Sequence, residues 1–151
     1  MDRSEKVIFT NMCMIYDNVG NVLVQDRKDP SWSGITFPGG HIEKNESFTD
    51  SVIREVYEET GLYILSPQLC GIKQWPHHDG SRYVVLFYKT NRYSGDITSS
   101  DEGEVYWTRL DTLNKMKLAD GMDRMLRVFL EEDISEHYWY SIDGEWKDEL
   151  K

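Results

Sequence analysis

The apolar and polar positions along the chain fall into runs with two different periods. Val7 to Tyr16 (VIFTNMCMIY) is almost continuously apolar and carries β-branched residues, which predicts a central strand. Asp17-Asn18-Val19-Gly20-Asn21 is turn chemistry, and Val22 to Gln25 returns as the second arm of a hairpin. Asp29 to Gly34 reads as a loop, and Ile35-Thr36-Phe37 as a short strand running into Pro38-Gly39-Gly40. From Phe48 the period changes. Phe48, Val52 and Val56 recur every four residues with Ile53 and Tyr57 beside them, so this stretch predicts a helix with that face on a core. Ser47 with Asp50 three residues on fits its N-cap, and Gly61 fits a left-handed C-cap.

Beyond the helix, Tyr63 to Cys70 reads as a short strand broken by Ser66-Pro67, and Gly71 to Trp75 as another. Pro76 to Gly80 is a turn, and its two histidines lack any further ligand at zinc spacing. Arg82 to Tyr93 is the strongest strand signal, apolar throughout Val84 to Tyr88 and therefore central in its sheet. An acidic loop, Ser99 to Glu104, precedes a strand at Val105-Tyr106-Trp107 whose tryptophan is expected to anchor the core. Leu110 to Leu118 suggests a short helical turn. In Met122 to Glu132, residues Met122, Met125, Leu126, Phe129 and Leu130 share one helical face, so the methionines are core. The tail from Ser135 holds Asp143-Gly144 between aromatic runs, the mark of a small hairpin. Three roles stay open for it: packing on the domain, a dimer contact, or a border of the pocket.

Strands and helices in mixed order, without repeats or linkers, predict one α/β domain over residues 1–151. Composition narrows the partners. A net charge of −10 argues against duplex nucleic acid, and no apolar run is long enough for a membrane span. The N-terminus lacks the layout of a signal peptide, so a soluble cytoplasmic protein is expected. The two cysteines, Cys13 and Cys70, are expected to be buried thiols in a reducing compartment. The oligomeric state, monomer or homodimer, is not legible.

Acidity is concentrated in Gly40 to Leu62 (GHIEKNESFTDSVIREVYEETGL), which holds five of the glutamates. Glu55, Glu58 and Glu59 stand at i, i+3 and i+4, which predicts three carboxylates on one patch. Like charges that close repel, and a hard divalent cation would remove the cost: Mg²⁺, or Mn²⁺, which also binds phosphates. The competing reading is a solvated acidic face. Arg54 can pair with Glu58 one turn on, or tie the preceding loop to the helix through Glu46.

The spacing of Gly40, Glu46, Arg54-Glu55-Val56, Glu58-Glu59 and Gly61-Leu62 resembles the Nudix box, with its nine defining positions filled over 23 residues. The resemblance implies a Nudix-type α/β/α sandwich around a mixed sheet, and hydrolysis of nucleoside diphosphates linked to another group. It further implies metal ligation by Glu55, Glu58 and Glu59, and a part for the Gly39 and Gly40 backbone in holding metal or phosphate. Arg54 and Glu46 would hold the box in shape. Glu102, with Glu104 as fallback, would supply a further metal ligand or the base. Length and flanking residues look most like the MutT-type 8-oxo-dGTP diphosphatases, where an arginine after the first hairpin, here Arg27, meets phosphate. On that resemblance Asp120 would read a purine edge, while Trp32 either stacks on the base or caps the core. The alternatives are hydrolysis of ADP-ribose or a diadenosine polyphosphate, or a nucleotide-binding module without catalysis.

Overall fold

The computed structural model describes all 151 residues. Three strands come first: β1 (Val7–Ile15), β2 (Asn21–Arg27) and β3 (Gly34–Thr36). Helix α1 (Phe48–Thr60) is followed by β4 (Tyr63–Ile64), β5 (Gln68–Pro76), β6 (Arg82–Thr90), β7 (Tyr93–Ser94) and β8 (Gly103–Arg109). A 3₁₀ turn (Leu110–Lys115), α2 (Met122–Leu130) and the hairpin β9 (Glu136–Ile142) and β10 (Glu145–Leu150) complete the chain.

A mixed five-stranded sheet runs β1-β6-β5-β9-β10, and an antiparallel three-stranded sheet runs β3-β2-β8. β1 lies parallel to β6, which is interior, paired on both edges between β1 and β5, while β5 takes the middle place. β1 itself ends the five-strand order, against the expectation of a central strand. Its free edge is nevertheless covered, because the loop Pro38–Ile42 bonds along it. Cys13 N–H reaches the Pro38 carbonyl at 2.8 Å, and Asn11 N–H reaches Gly40 at 2.8 Å. The apolar run therefore reports coverage by a loop as well as by a strand.

Side chains alternate along these strands between two cores, since successive residues face opposite sides. Met12, Met14, Val22, Val24, Val85 and Phe87 pack with Met122, Met125, Val128 and Phe129 of α2. Cys13, Ile15, Leu23, Val84, Leu86 and Tyr88 pack with Val52 and Val56 of α1. Sheet between two helices makes the predicted α/β/α sandwich. No helix is long and apolar enough to cross a membrane.

Several local expectations shift. On α1 the buried residues are Ser51, Val52, Val56, Glu59 and Thr60, while Phe48 and Tyr57 are exposed. Those two find aromatic partners instead, Phe48 on Phe9 at 5.1 Å and Tyr57 stacked on Tyr63 at 4.3 Å. β5 is longer than two separate pieces, because its irregularity near Cys70 is a register shift rather than a break. Trp107 is partly buried at the edge of a core, against Tyr93. α2 stops at Leu130, which is exposed. Cys13 is buried and Cys70 half-buried, both as free thiols. The tail forms the hairpin and packs on the domain, with β9 parallel to β5.

Candidate active site

Two glycines place the acidic helix. A Cβ on Gly39 would collide with the Asn11 carbonyl, and one on Gly40 with the Glu55 carboxylate. Neither residue has a positive φ, so close approach requires glycine here, not a left-handed backbone. The loop is thus pressed between β1 and α1. Asn11 fixes it from a buried position, its Oδ1 accepting from Gly40 N–H at 3.1 Å and its Nδ2 donating to Ser51 Oγ at 3.0 Å. Helix α1 starts at the predicted cap, where Ser47 Oγ accepts from Asp50 N–H at 2.9 Å, and ends at Gly61 with φ 79°.

The three box glutamates do not share one exposed patch. Glu59 is buried, its Oε2 accepting from Gly39 N–H at 2.9 Å and from Gln25 Nε2 at 3.3 Å. Glu55 lies largely covered under Gly40, and Glu58 is mostly exposed. A period of 3.6 carries the i and i+4 side chains under the loop and leaves i+3 at its rim. Burial pushes the Glu59 carboxyl up to about 7, against the pull of the Gly39 amide and with help from the charges of Glu55 and Glu102. Burial also raises Glu55, opposed by Arg54.

Arg54 makes both predicted pairings at once. Its Nε and Nη2 hold the two oxygens of Glu46 at 2.6 and 2.8 Å, and its Nη1 reaches Glu55 at 2.9 Å and Glu58 at 3.2 Å. A further bond runs to the His41 carbonyl at 3.0 Å. The bidentate pair holds the Glu46 carboxyl down at about 2. One planar guanidinium therefore ties loop, helix and three box carboxylates together.

Around this centre the other predicted residues take distinct places. Glu102 is exposed on the turn before β8, and its charge bears on Glu59, whereas Glu104 pairs across from Asp26 beside Tyr106. Arg27 anchors its own loop, donating through Nε to the Trp32 carbonyl at 3.1 Å and lying 5.2 Å from the Trp32 ring. Its charge lowers Glu59, so it also faces the acidic centre. Trp32 packs at the edge of the α2-side core, and its indole donates to the Asp120 carbonyl at 2.9 Å. Asp120 thus joins the site through its backbone, with its side chain exposed just before α2. A cleft of about 420 Å³ beside Arg27 is bordered by Asp26, Tyr106 and Lys117.

Residues 10–129 match the family model described as NUDIX domain. The chain belongs to the Nudix family. It is 32% identical over 119 residues to the uncharacterized Nudix hydrolase YvcI of Bacillus subtilis, covering 76% of this chain and 73% of that protein. An ADP-ribose pyrophosphatase of Methanocaldococcus jannaschii is 26% identical, covering 77% and 69%. An 8-oxo-dGTP diphosphatase of Buchnera aphidicola is 36% identical over a shorter span, 51% of this chain and 57% of that protein. Among solved structures, the mutator MutT protein of Bacillus halodurans superposes with a TM-score of 0.79 at 25% identity, covering 95% of this chain and 97% of that one.

Nudix hydrolases act on nucleoside diphosphate derivatives and generally use divalent metal ions. The donor set here fits such an ion in kind: carboxylate and carbonyl oxygens, with no thiolate or imidazole among them. Gly40 leaves Glu55 the room that a side chain would fill, and Glu59 sits among charges of its own sign. As the side chains stand, Arg54 lies between Glu55 and Glu58 and hydrogen-bonds both.

Asn11, Gln25 and Ser51 hydrogen-bond within and onto the box, a part that the sequence analysis does not assign them. Asn11 and Gln25 are buried polar residues inside otherwise apolar strands, and that anomaly is the signal that marks them.

Proposed function

We propose that the protein is a metal-dependent pyrophosphohydrolase converting a purine deoxynucleoside triphosphate, 8-oxo-dGTP or a close relative, into the monophosphate and pyrophosphate. Such an enzyme would work in nucleotide-pool sanitation in the cytoplasm. The observation that carries this is the buried Glu59, fixed by the Gly39 amide and Gln25 beside a half-buried Glu55. That pair supplies preorganised charge where a diphosphate would be attacked.

In this reading Glu55, Glu58, Glu59 and the Gly40 carbonyl would hold Mg²⁺, or Mn²⁺, with Glu102 a further ligand when it is not the base. When bound, the ion offsets phosphate charge and lowers the pKa of a water. The water oxygen bonds to phosphorus, the bridging P–O bond breaks, and its electron pair leaves with pyrophosphate. Glu102, when it holds no ion, takes the proton. Arg54 keeps Glu55 and Glu46 in register, Arg27 meets phosphate from the rim, and Trp32 with Asp120 borders the purine.

The MutT-like structure and the diphosphatase relative favour this substrate. The ADP-ribose pyrophosphatase relative favours the second reading, an enzyme for ADP-ribose. A non-catalytic module is disfavoured because every box glutamate is present. The test is a panel of 8-oxo-dGTP, canonical deoxynucleoside triphosphates, ADP-ribose and diadenosine polyphosphates at fixed Mg²⁺, ranked by kcat/KM. 8-oxo-dGTP should lead; a lead by ADP-ribose or a diadenosine polyphosphate overturns the proposal.

A further inference from the structure

Strand β10 ends the five-strand order, and its outer edge is open. The edge of β1, at the other end of that order, is covered by the loop Pro38–Ile42, whereas no strand, loop or isolated bridge pairs along the outer side of β10. The hairpin's own hydrogen bonds fix which groups are left over. Lys151 N–H donates to the Glu136 carbonyl at 2.9 Å, and the Lys151 carbonyl accepts from Glu136 N–H at 3.0 Å, so these two residues exchange both bonds. Two residues apart along the strand, Glu149, Lys147 and Glu145 likewise turn their backbones to β9. Trp146, Asp148 and Leu150 therefore turn N–H and C=O outward. An open row of this kind is a template for a further strand.

Side chains along the edge decide which strand that is. Trp146, Asp148 and Leu150 share the face toward α2, where Leu150 packs against the core and the Asp148 carboxylate accepts from Arg124 Nε at 2.9 Å and His137 Nε2 at 2.8 Å. On the opposite face stand Glu145, Lys147, Glu149 and Lys151, alternating negative and positive. Within one chain Glu149 and Lys151 meet at 3.4 Å. Laid antiparallel on a copy of itself, this series sets each minus against a plus in one register. A two-fold axis through Asp148 pairs Glu145 with Lys151, Lys147 with Glu149 and Trp146 with Leu150, and gives every outward backbone group a partner. The neighbouring registers that keep the backbone groups matched centre on Lys147 or on Glu149. The first sets Lys147 on itself and Glu145 on Glu149; the second sets Glu149 on itself and Lys147 on Lys151. Both oppose like charges. The Asp148 register has one such meeting, Asp148 with its mate, and each of those carboxylates is already held by Arg124 and His137 of its own domain.

We propose that β10 pairs with β10 of a second copy of this chain, antiparallel about a two-fold axis through Asp148, joining the two five-stranded sheets into one. Trp146, exposed in the single chain, then lies opposite Leu150 of the other copy. The hairpin that forms this interface lies outside residues 10–129.

Sedimentation equilibrium of the full chain reads the association, and backbone amide exchange followed by NMR reads its register. Wild type should be dimeric at about 100 µM, with a dissociation constant in the micromolar range or below. Lys147→Glu sets like charges opposite each other twice, and should raise that constant about tenfold or more. Lys147→Glu combined with Glu149→Lys exchanges the two signs, and should return it to within about threefold of wild type. The amides of Trp146, Asp148 and Leu150 should gain protection as concentration rises, while those of Lys147 and Glu149, bonded to β9 already, stay as they are. Monomeric wild type at that concentration overturns the proposal, and so does a dimer indifferent to Lys147→Glu. A double variant no tighter than the single one, or protection that does not alternate, overturns the register. Should Lys147→Glu fail to fold, Glu149→Lys creates the same clash and is read by the same criterion.

Discussion

Replacing Glu59 with glutamine separates what the carboxylate costs the fold from what it does for the reaction. Its pKa rises from an ordinary 4.5 to about 7 because the side chain is buried beside other acids. The sign follows from proton uptake. Below about pH 4.5 both folded and unfolded chains hold the proton, and the charge costs nothing. Between 4.5 and about 7 the folded chain keeps a proton that the unfolded chain has released, so stability falls as pH rises. Above about 7 the full penalty is present, about 3 kcal/mol at roughly 1.4 kcal/mol per pH unit. Glu59→Gln still accepts from Gly39 N–H but never ionises. In EDTA, urea denaturation of the two proteins should therefore give matching stabilities near pH 4.5, and a more stable variant at pH 8 by up to about 3 kcal/mol. Turnover on the preferred nucleotide should fall about 100-fold or more. A difference that stays flat across this pH range would refute the buried-charge argument. A stable variant with near-normal turnover would refute the metal-ligand role.

The remaining predictions concern the frame around that carboxylate. Arg54→Ala leaves Glu46, Glu55 and Glu58 without their shared partner, and should cost about 1 to 3 kcal/mol, read as a lower denaturation midpoint together with reduced kcat. Unchanged kcat in that variant would show that the guanidinium does not position the box. Gly39→Ala drives a methyl into the Asn11 carbonyl, and should cost about 1 to 3 kcal/mol by the same measurement while displacing the amide that holds Glu59. Wild-type stability there would mean the loop can move aside freely.

Much of this was legible in residue order, because the deciding signals are local. Ser47 and Gly61 end α1 where a cap and a left-handed residue must, and the nine-position box identifies the reaction class. What escaped depends on packing between distant segments. Periodicity puts Phe48 and Tyr57 with Val52 and Val56, yet the face toward Gly39 and Gly40 is the one with Ser51 and Glu59. A hydrophobicity pattern cannot rank a buried carboxylate above an aromatic when a glycine loop supplies the burial. Likewise the apolar run of β1 does not say whether its second edge meets a strand or a loop. The Asp120 backbone carbonyl receives the Trp32 indole, a contact that residue identity cannot reveal.

The loop laid along β1 bears on how the molecule opens. The N–H groups of Asn11 and Cys13 end on the carbonyls of Gly40 and Pro38, on a strand whose opposite edge pairs with the interior β6. Neither amide can exchange with solvent by fraying of a surface segment, since freeing it means lifting the loop from a strand embedded in both cores. Their hydrogen exchange therefore reports the opening of that loop. Lifting the loop also takes Gly39 N–H from Glu59 and Gly40 N–H from Asn11, so exposure of these amides and loss of the acidic site are one event.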